Sequence, residues 1–174
     1  SSLLLSSLYD GDTQSASRFL EQLKKIDPGG EFSFETQLAT AIILALAGRS
    51  EESETLFAEL EKRENISPFT LPSWKVTIAE KNKQWEQVLR HGRTLLELNV
   101  AQNFRDDLPR IYLAFATAYF NLGQVGESIE YLDKALALIE ELRAVENTNL
   151  SLGLLETYHA AYRLLTQINL KRPL

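Results

Sequence analysis

The chain has 174 residues and a formal net charge of −6, with 44% apolar and 24% charged residues. That is an ordinary globular profile, long enough to bury a real core as one domain or one short solenoid. An acidic chain without clustered Lys and Arg argues against nucleic acid and against an anionic membrane surface as partners. It contains no cysteine, which excludes disulfides, thiol nucleophiles and thiolate metal sites. No apolar run reaches the roughly 18 residues expected of a membrane span. The opening SSLLLSSL is too short and lacks the basic flank of a signal peptide. With no methionine, even at residue 1, the chain reads as an excerpt or processed form of a longer one. A cytoplasmic location is expected.

The pattern predicts about nine helices and no strand. A short apolar segment, Leu3 to Tyr9, ends at DGD. Thr13 to Ile26 follows, with Ala16, Phe19, Leu20 and Leu23 at helical spacing, and DPGGEFS stops it. Phe34 to Ala47 is strongly apolar and closed by Gly48. Ser50 is the expected N-cap of the next helix, with Glu51 and Glu52 suiting its positive end; this helix runs to about Arg63 and buries Leu56, Phe57 and Leu60. NISPFTLPS reads as a linker, before a weaker helix from about Trp74 to Lys81. Gln84 to Leu98 comes next, with Trp85, Val88, Leu89, Leu95 and Leu96 on its apolar side. Residues 99 to 108 give no clear signal. Pro109 suits the first turn of a helix running to Leu122, and Val125 to about Ala144 pairs with it. The last helix runs from about Asn147 to Leu170.

The breaks recur. Gly11, Gly48 and Gly123 each follow an apolar helix and precede an amphipathic one, and NKQ around Lys83 takes that place in a further pair. The intervals are 37, 35 and 40 residues. A helix hairpin repeated at that period indicates an α-solenoid, because one hairpin cannot bury its apolar faces alone and stacked hairpins share a core. Amphipathic helix pairs also build plain bundles, and Val125, Ile129, Leu132, Leu136 and Ile139 fit a heptad; the Gly and Pro interruptions argue against a long coiled coil.

The best patterned stretch is RIYLAFATAYFNLGQVGESIEYLDKALAL. Tyr112, Phe115, Tyr119 and Leu122 form one stripe, with small Ala116 among them. Gly123 supplies the left-handed backbone that ends the first helix. Val125, Ile129, Leu132, Ala135, Leu136 and Leu138 line the second. Tyr112, Phe115–Ala116, Tyr119, Leu122–Gly123 and Lys134–Leu136 together resemble the tetratricopeptide repeat family. Ser128 departs from it where the family prefers Ala, and Glu140 where it often has Pro. Ser53 likewise replaces a small Ala in TAIILALAGRSEESETLFAELEK. The other repeats match at low stringency, and LETYHAAYRLLTQINL is compatible with the first helix of a fifth repeat or with a cap. The resemblance implies an all-α, right-handed solenoid of antiparallel hairpins across residues 1–174, about four repeats plus a terminal helix.

Catalytic constellations are thin. His91 reads as a solvated-face residue and His159, beside Tyr158 and Tyr162, as a hydrogen-bonded core or groove residue. No His spacing supports zinc, and Gly29–Gly30 lacks the strand before it and the Lys-Ser/Thr after it that a phosphate cradle needs. Glu51–Glu52, Asp106–Asp107 and Glu140–Glu141 read as helix-start charges or solvated faces. No enzyme activity, metal or cofactor is expected.

What the resemblance implies is binding. The first helix of each pair would line a concave face that holds another protein, as an extended peptide or an amphipathic helix. Helix phase places Glu35, Leu38, Ile42 and Leu46 there in the second pair, Ser73, Thr77, Glu80 and Lys81 in the third, and Arg110, Leu113, Thr117, Phe120 and Asn121 in the fourth. The Lys, Asn and Arg clamp that some members use on a C-terminal carboxylate is absent from these positions. The reading is an adaptor scaffold; a regulatory sensor controlling an attached output domain and an unrecognised helical enzyme stay open. Self-association through an open solenoid end is a further expectation, because Leu3, Leu4 and Leu5 would lack a neighbour.

Overall fold

Helix after helix in this chain ends in the same reversal. The computed structural model describes residues 34–64, 66–146 and 152–171, together with residues 18, 21, 22 and 25, which are helical and exposed. The expected segment Leu3–Tyr9, Gly11, most of the Thr13–Ile26 helix and the DPGGEFS stop lie outside the described residues. So does the expected start of the last helix at Asn147. The described residues form α1 (Phe34–Leu46), α2 (Ser50–Leu60), α3 (Thr70–Lys81), α4 (Trp85–Ala101), α5 (Leu108–Asn121), α6 (Val125–Glu146) and α7 (Leu152–Lys171). All are α-helices, and no strand occurs among the described residues.

Four reversals share one geometry. After α1, α3, α4 and α5 a residue adopts positive φ: Gly48 (81°), Lys83 (56°), Asn103 (50°) and Gly123 (79°). Its N–H bonds three residues back, and the next N–H bonds five residues back. The pairs are Gly48 to Ala45 and Arg49 to Leu44, Lys83 to Glu80 and Gln84 to Ala79, Asn103 to Val100 and Phe104 to Asn99, and Gly123 to Phe120 and Gln124 to Tyr119. This is the Schellman arrangement, which satisfies carbonyls orphaned at a helix end. Lys83 thus does the work of a turn glycine, as its place in the repeat predicts. Asn103 does so within the stretch without a clear expectation, and α4 runs past the expected end at Leu98 to Ala101.

Two boundaries differ for physical reasons. Ser50 is the first helical residue of α2 and not its cap. Arg49 holds the cap position without a side-chain cap bond, because the reversal leaves no residue between the end of α1's turn and the start of α2. α3 begins at Thr70, inside the expected linker; Pro72 sits in its first turn, where a missing N–H costs nothing.

The chain divides into two compact units, residues Ser1–Trp74 and Lys75–Leu174, and the division falls within α3. In the first unit α1 and α2 form an antiparallel hairpin. Leu38, Ala39, Ala41, Ile42 and Ala45 of α1 and Phe57 and Leu60 of α2 are buried. The Ser53 hydroxyl donates to the Ala41 carbonyl at 2.7 Å, twelve residues back. At the other end of the hairpin Arg63 donates to Gln37 at 2.8 Å.

In the second unit α5 and α6 form the matching hairpin. Ser128 donates to the Ala116 carbonyl at 2.8 Å, again twelve residues back. Arg105, just before α5, makes a two-pronged contact of 2.9 and 3.0 Å with Glu141 near the far end of α6. Tyr131 of α6 lies against three rings of α5: stacked on Tyr119 at 5.5 Å, edge-on to Phe115 at 5.0 Å and tilted against Tyr112 at 6.1 Å. Lys134 caps Tyr131, its Nζ 4.7 Å from the ring centre. Such ring pairs add about 0.5–1.5 kcal/mol each beyond burial. α4 meets α5 at Gly92, where a Cβ would stand 2.5 Å from Cε1 of Phe115; only glycine admits that approach. α7 closes the unit by packing Ala161, Leu164 and Ile168 onto Ala116, Phe120 and Leu132.

Candidate functional site

The residues expected on the binding face separate into two groups. In the first unit Leu38 and Ile42 are buried in the hairpin core, while Glu35 and Leu46 are half-buried. Ser73, at the end of the first unit, is half-buried; in the second unit Thr77 is buried, Glu80 half-buried and Lys81 exposed. On α5, Arg110, Leu113 and Thr117 are half-buried and Asn121 is exposed. Phe120, expected as an aromatic anchor for a partner, is 8% exposed and packs in the cluster formed with α7. Helix phase sets Phe120 apart from the stripe of Tyr112, Phe115 and Tyr119 that meets Tyr131. It could not show that other elements of the chain cover that side.

Beside Leu113 and the half-buried Tyr112 and Tyr119, what remains accessible on α5 is polar. Thr117 donates back to the Leu113 carbonyl at 2.9 Å, and Asn121 Nδ2 donates back to the Thr117 carbonyl at 2.8 Å. These bonds fix both rotamers along the helix face. Each leaves acceptor capacity, and Asn121 one further amide hydrogen, for another molecule. Arg110 lies 3.5 Å from Asp107 at the start of the helix. The Glu80 carboxyl of α3 is largely buried and is held above the usual carboxylate range, chiefly by that burial, with Arg110 and then Lys81 pulling it back. Arg110 is therefore attracted to both Asp107 and Glu80.

Arg110 also lines a cleft of about 320 Å³. Asp106, Asp107 and Pro109 form one wall, Leu142 of α6 another, and Leu154 and Thr157 of α7 the third. Among the described residues no group of three or more His, Cys, Asp or Glu converges on a point that could hold a metal. His91 is half-buried and His159 exposed. No helix of the described residues is long and apolar enough to cross a membrane.

Residues 109–141, which are α5 and most of α6, match the family model described as Tetratricopeptide repeat. No curated protein matches. Among solved structures, the MamA RS-1 ArsTM double mutant is 21% identical, with a TM-score of 0.49; the match covers 95% of this chain and 92% of that one. The matched segment is the hairpin with the aromatic stripe, the Gly123 reversal and the Ser128 fastening.

Proposed function

We propose that the chain is a scaffold that holds an extended peptide of a partner protein on the α5 face carrying Arg110, Leu113, Thr117 and Asn121, with Lys81 of α3 contributing charge. Tetratricopeptide repeats are protein-interaction scaffolds and typically non-catalytic, and the repeat at residues 109–141 is the observation that carries the reading. The finer choice of peptide over helix rests on the polar character of the accessible face. An amphipathic helix needs a run of apolar anchors, and Phe120, the residue best suited to that role, is buried in the core. An extended chain instead presents N–H and C=O groups, which pinned Thr and Asn side chains and an Arg meet well.

The test is capture of partners from a lysate with the wild-type chain, identification by mass spectrometry, and repetition with Arg110→Glu and Asn121→Lys. Both positions are accessible, so circular dichroism should report unchanged helix content. The proposal expects one partner to be lost by both variants, and a synthetic peptide from it to bind each at least about tenfold more weakly. Retention of every partner by both variants would overturn it. A partner segment that turns helical when bound would replace the peptide reading with the amphipathic-helix one.

A further inference from the structure

The α5 face begins at Arg110, and Arg110 also lines the cleft of about 320 Å³ at that end of the helix. Pro109, Leu142 and Leu154 give the cleft its apolar lining, and Asp106 and Asp107 bring two carboxylates. The whole charges there do not balance. Asp107 is paired with Arg110 at 3.5 Å. It also holds the cap position of α5, where it answers the partial positive charge of the helix start. Arg105, the neighbouring cation, is engaged by Glu141 through both of its prongs. Asp106 is exposed and has no ion-pair or hydrogen-bond partner among the described residues. The charge left over in the cleft is therefore negative, and it is carried by Asp106.

We propose that this cleft takes a Lys or Arg side chain of the peptide held on the α5 face. The inference rests on the reading of that face given above and adds the chemistry of one position in the peptide. A long basic side chain answers both parts of the lining. Its methylene stem lies along Pro109, Leu142 and Leu154, while its charged head stays hydrated and reaches Asp106. An acidic side chain would meet Asp106 with like charge, and a short polar one would leave the apolar lining in water. The volume lies at the bottom of the range for ligand pockets, which is room for one side chain and not for a folded segment. The geometry of α5 also places the basic residue within the peptide. Arg110 and Asn121 are separated by about 16 Å along the helix, which an extended chain covers in about five residues. The basic residue therefore stands at one end of a core of about that length.

Selection of a displayed library of random peptides on the whole chain tests this. The selected sequences are expected to share a Lys or Arg at one end of their common core. Replacing that residue by Ala in a synthetic peptide should weaken binding about tenfold. Asp106→Asn should weaken the parent peptide about threefold, the scale of an exposed ion pair. Asp106→Lys, put through a fresh selection, should enrich Asp or Glu at the same place. Gly153 also lines the cleft and has open space where a Cβ would stand. Gly153→Leu should therefore fill the cleft with helix content unchanged, and remove the basic preference while the rest of the core is still selected. Peptides selected without a common basic residue, or the same sequences selected by Asp106→Lys and by wild type, would overturn the role of the cleft and leave the α5 face standing. Selection of no peptide at all would overturn both.

Discussion

The hairpins α1–α2 and α5–α6 are fastened alike and filled differently. Both close on a glycine at positive φ, and both carry a serine whose hydroxyl reaches the facing helix twelve residues back. Only the second matches the family model. Its interior holds the Tyr112, Phe115, Tyr119 and Tyr131 rings, whereas the first hairpin sets Phe57 among the Leu, Ile and Ala of α1. Similarity of side chains and similarity of backbone have therefore parted company within one chain. The reversal and the serine contact set the hairpin; the aromatic stripe makes it recognisable.

Substitutions at five positions would break or sharpen that comparison. The largest effect is expected from Phe115→Ala, at about 3–5 kcal/mol by chemical denaturation, because the ring serves both Tyr131 and the Gly92 approach. A loss under about 2 kcal/mol would show that the aromatic filling matters no more than the aliphatic one. Gly92→Ala comes next. It should cost about 1–2 kcal/mol, with overpacking outweighing the propensity gained by removing a helical glycine. Combining it with Phe115→Leu should cost less than the two singles added together, since the smaller side chain makes room.

The serine contacts give the direct comparison. Ser53→Ala and Ser128→Ala should each cost about 1 kcal/mol, because the acceptor carbonyl keeps its helical bond. The two losses should agree within about 0.5 kcal/mol if the device is equivalent in both hairpins. The smallest effect concerns Glu80 and its pH dependence. Its folded pKa is raised by burial, so the ionised form is the less stable one in the fold. Glu80 therefore weakens the fold above both pKa values. That penalty fades as pH falls through the raised folded value toward the unfolded one. Glu80→Gln should be slightly more stable than wild type at neutral pH, and the gap should close on acidification. A gap that widens instead would show that attraction to Arg110 and Lys81 outweighs desolvation.

Much of this was readable in the residues. Gly48 and Gly123 announce their reversals because glycine tolerates positive φ, and the repeat period points to Lys83 although lysine does not favour that backbone. Asn103 was hidden because a polar stretch looks the same whether it turns sharply or wanders. Helix phase alone sets an expectation for a binding face and says nothing of what covers it. A single helix tells which side faces its hairpin partner; Phe120 shows that another helix, here α7, decides what the remaining side does. Tyr131 and Gly92 were passed over for a related reason. One is a ring on a polar-looking helix, which gains its meaning from Tyr112, Phe115 and Tyr119, and the other a lone glycine, which gains its meaning from Phe115.

The serine contact has one more effect. Helical carbonyls offer a second lone pair at fixed steps along the axis, and the hydroxyl of Ser128 engages only the one on Ala116. Sliding α6 along α5 would empty that contact before reaching an equivalent one, about 5.4 Å away. The offset between the two rods is thus indexed, like a pin in a drilled bar. Accessible positions on α5 are then free to change under selection for a new partner without letting the pair drift out of register.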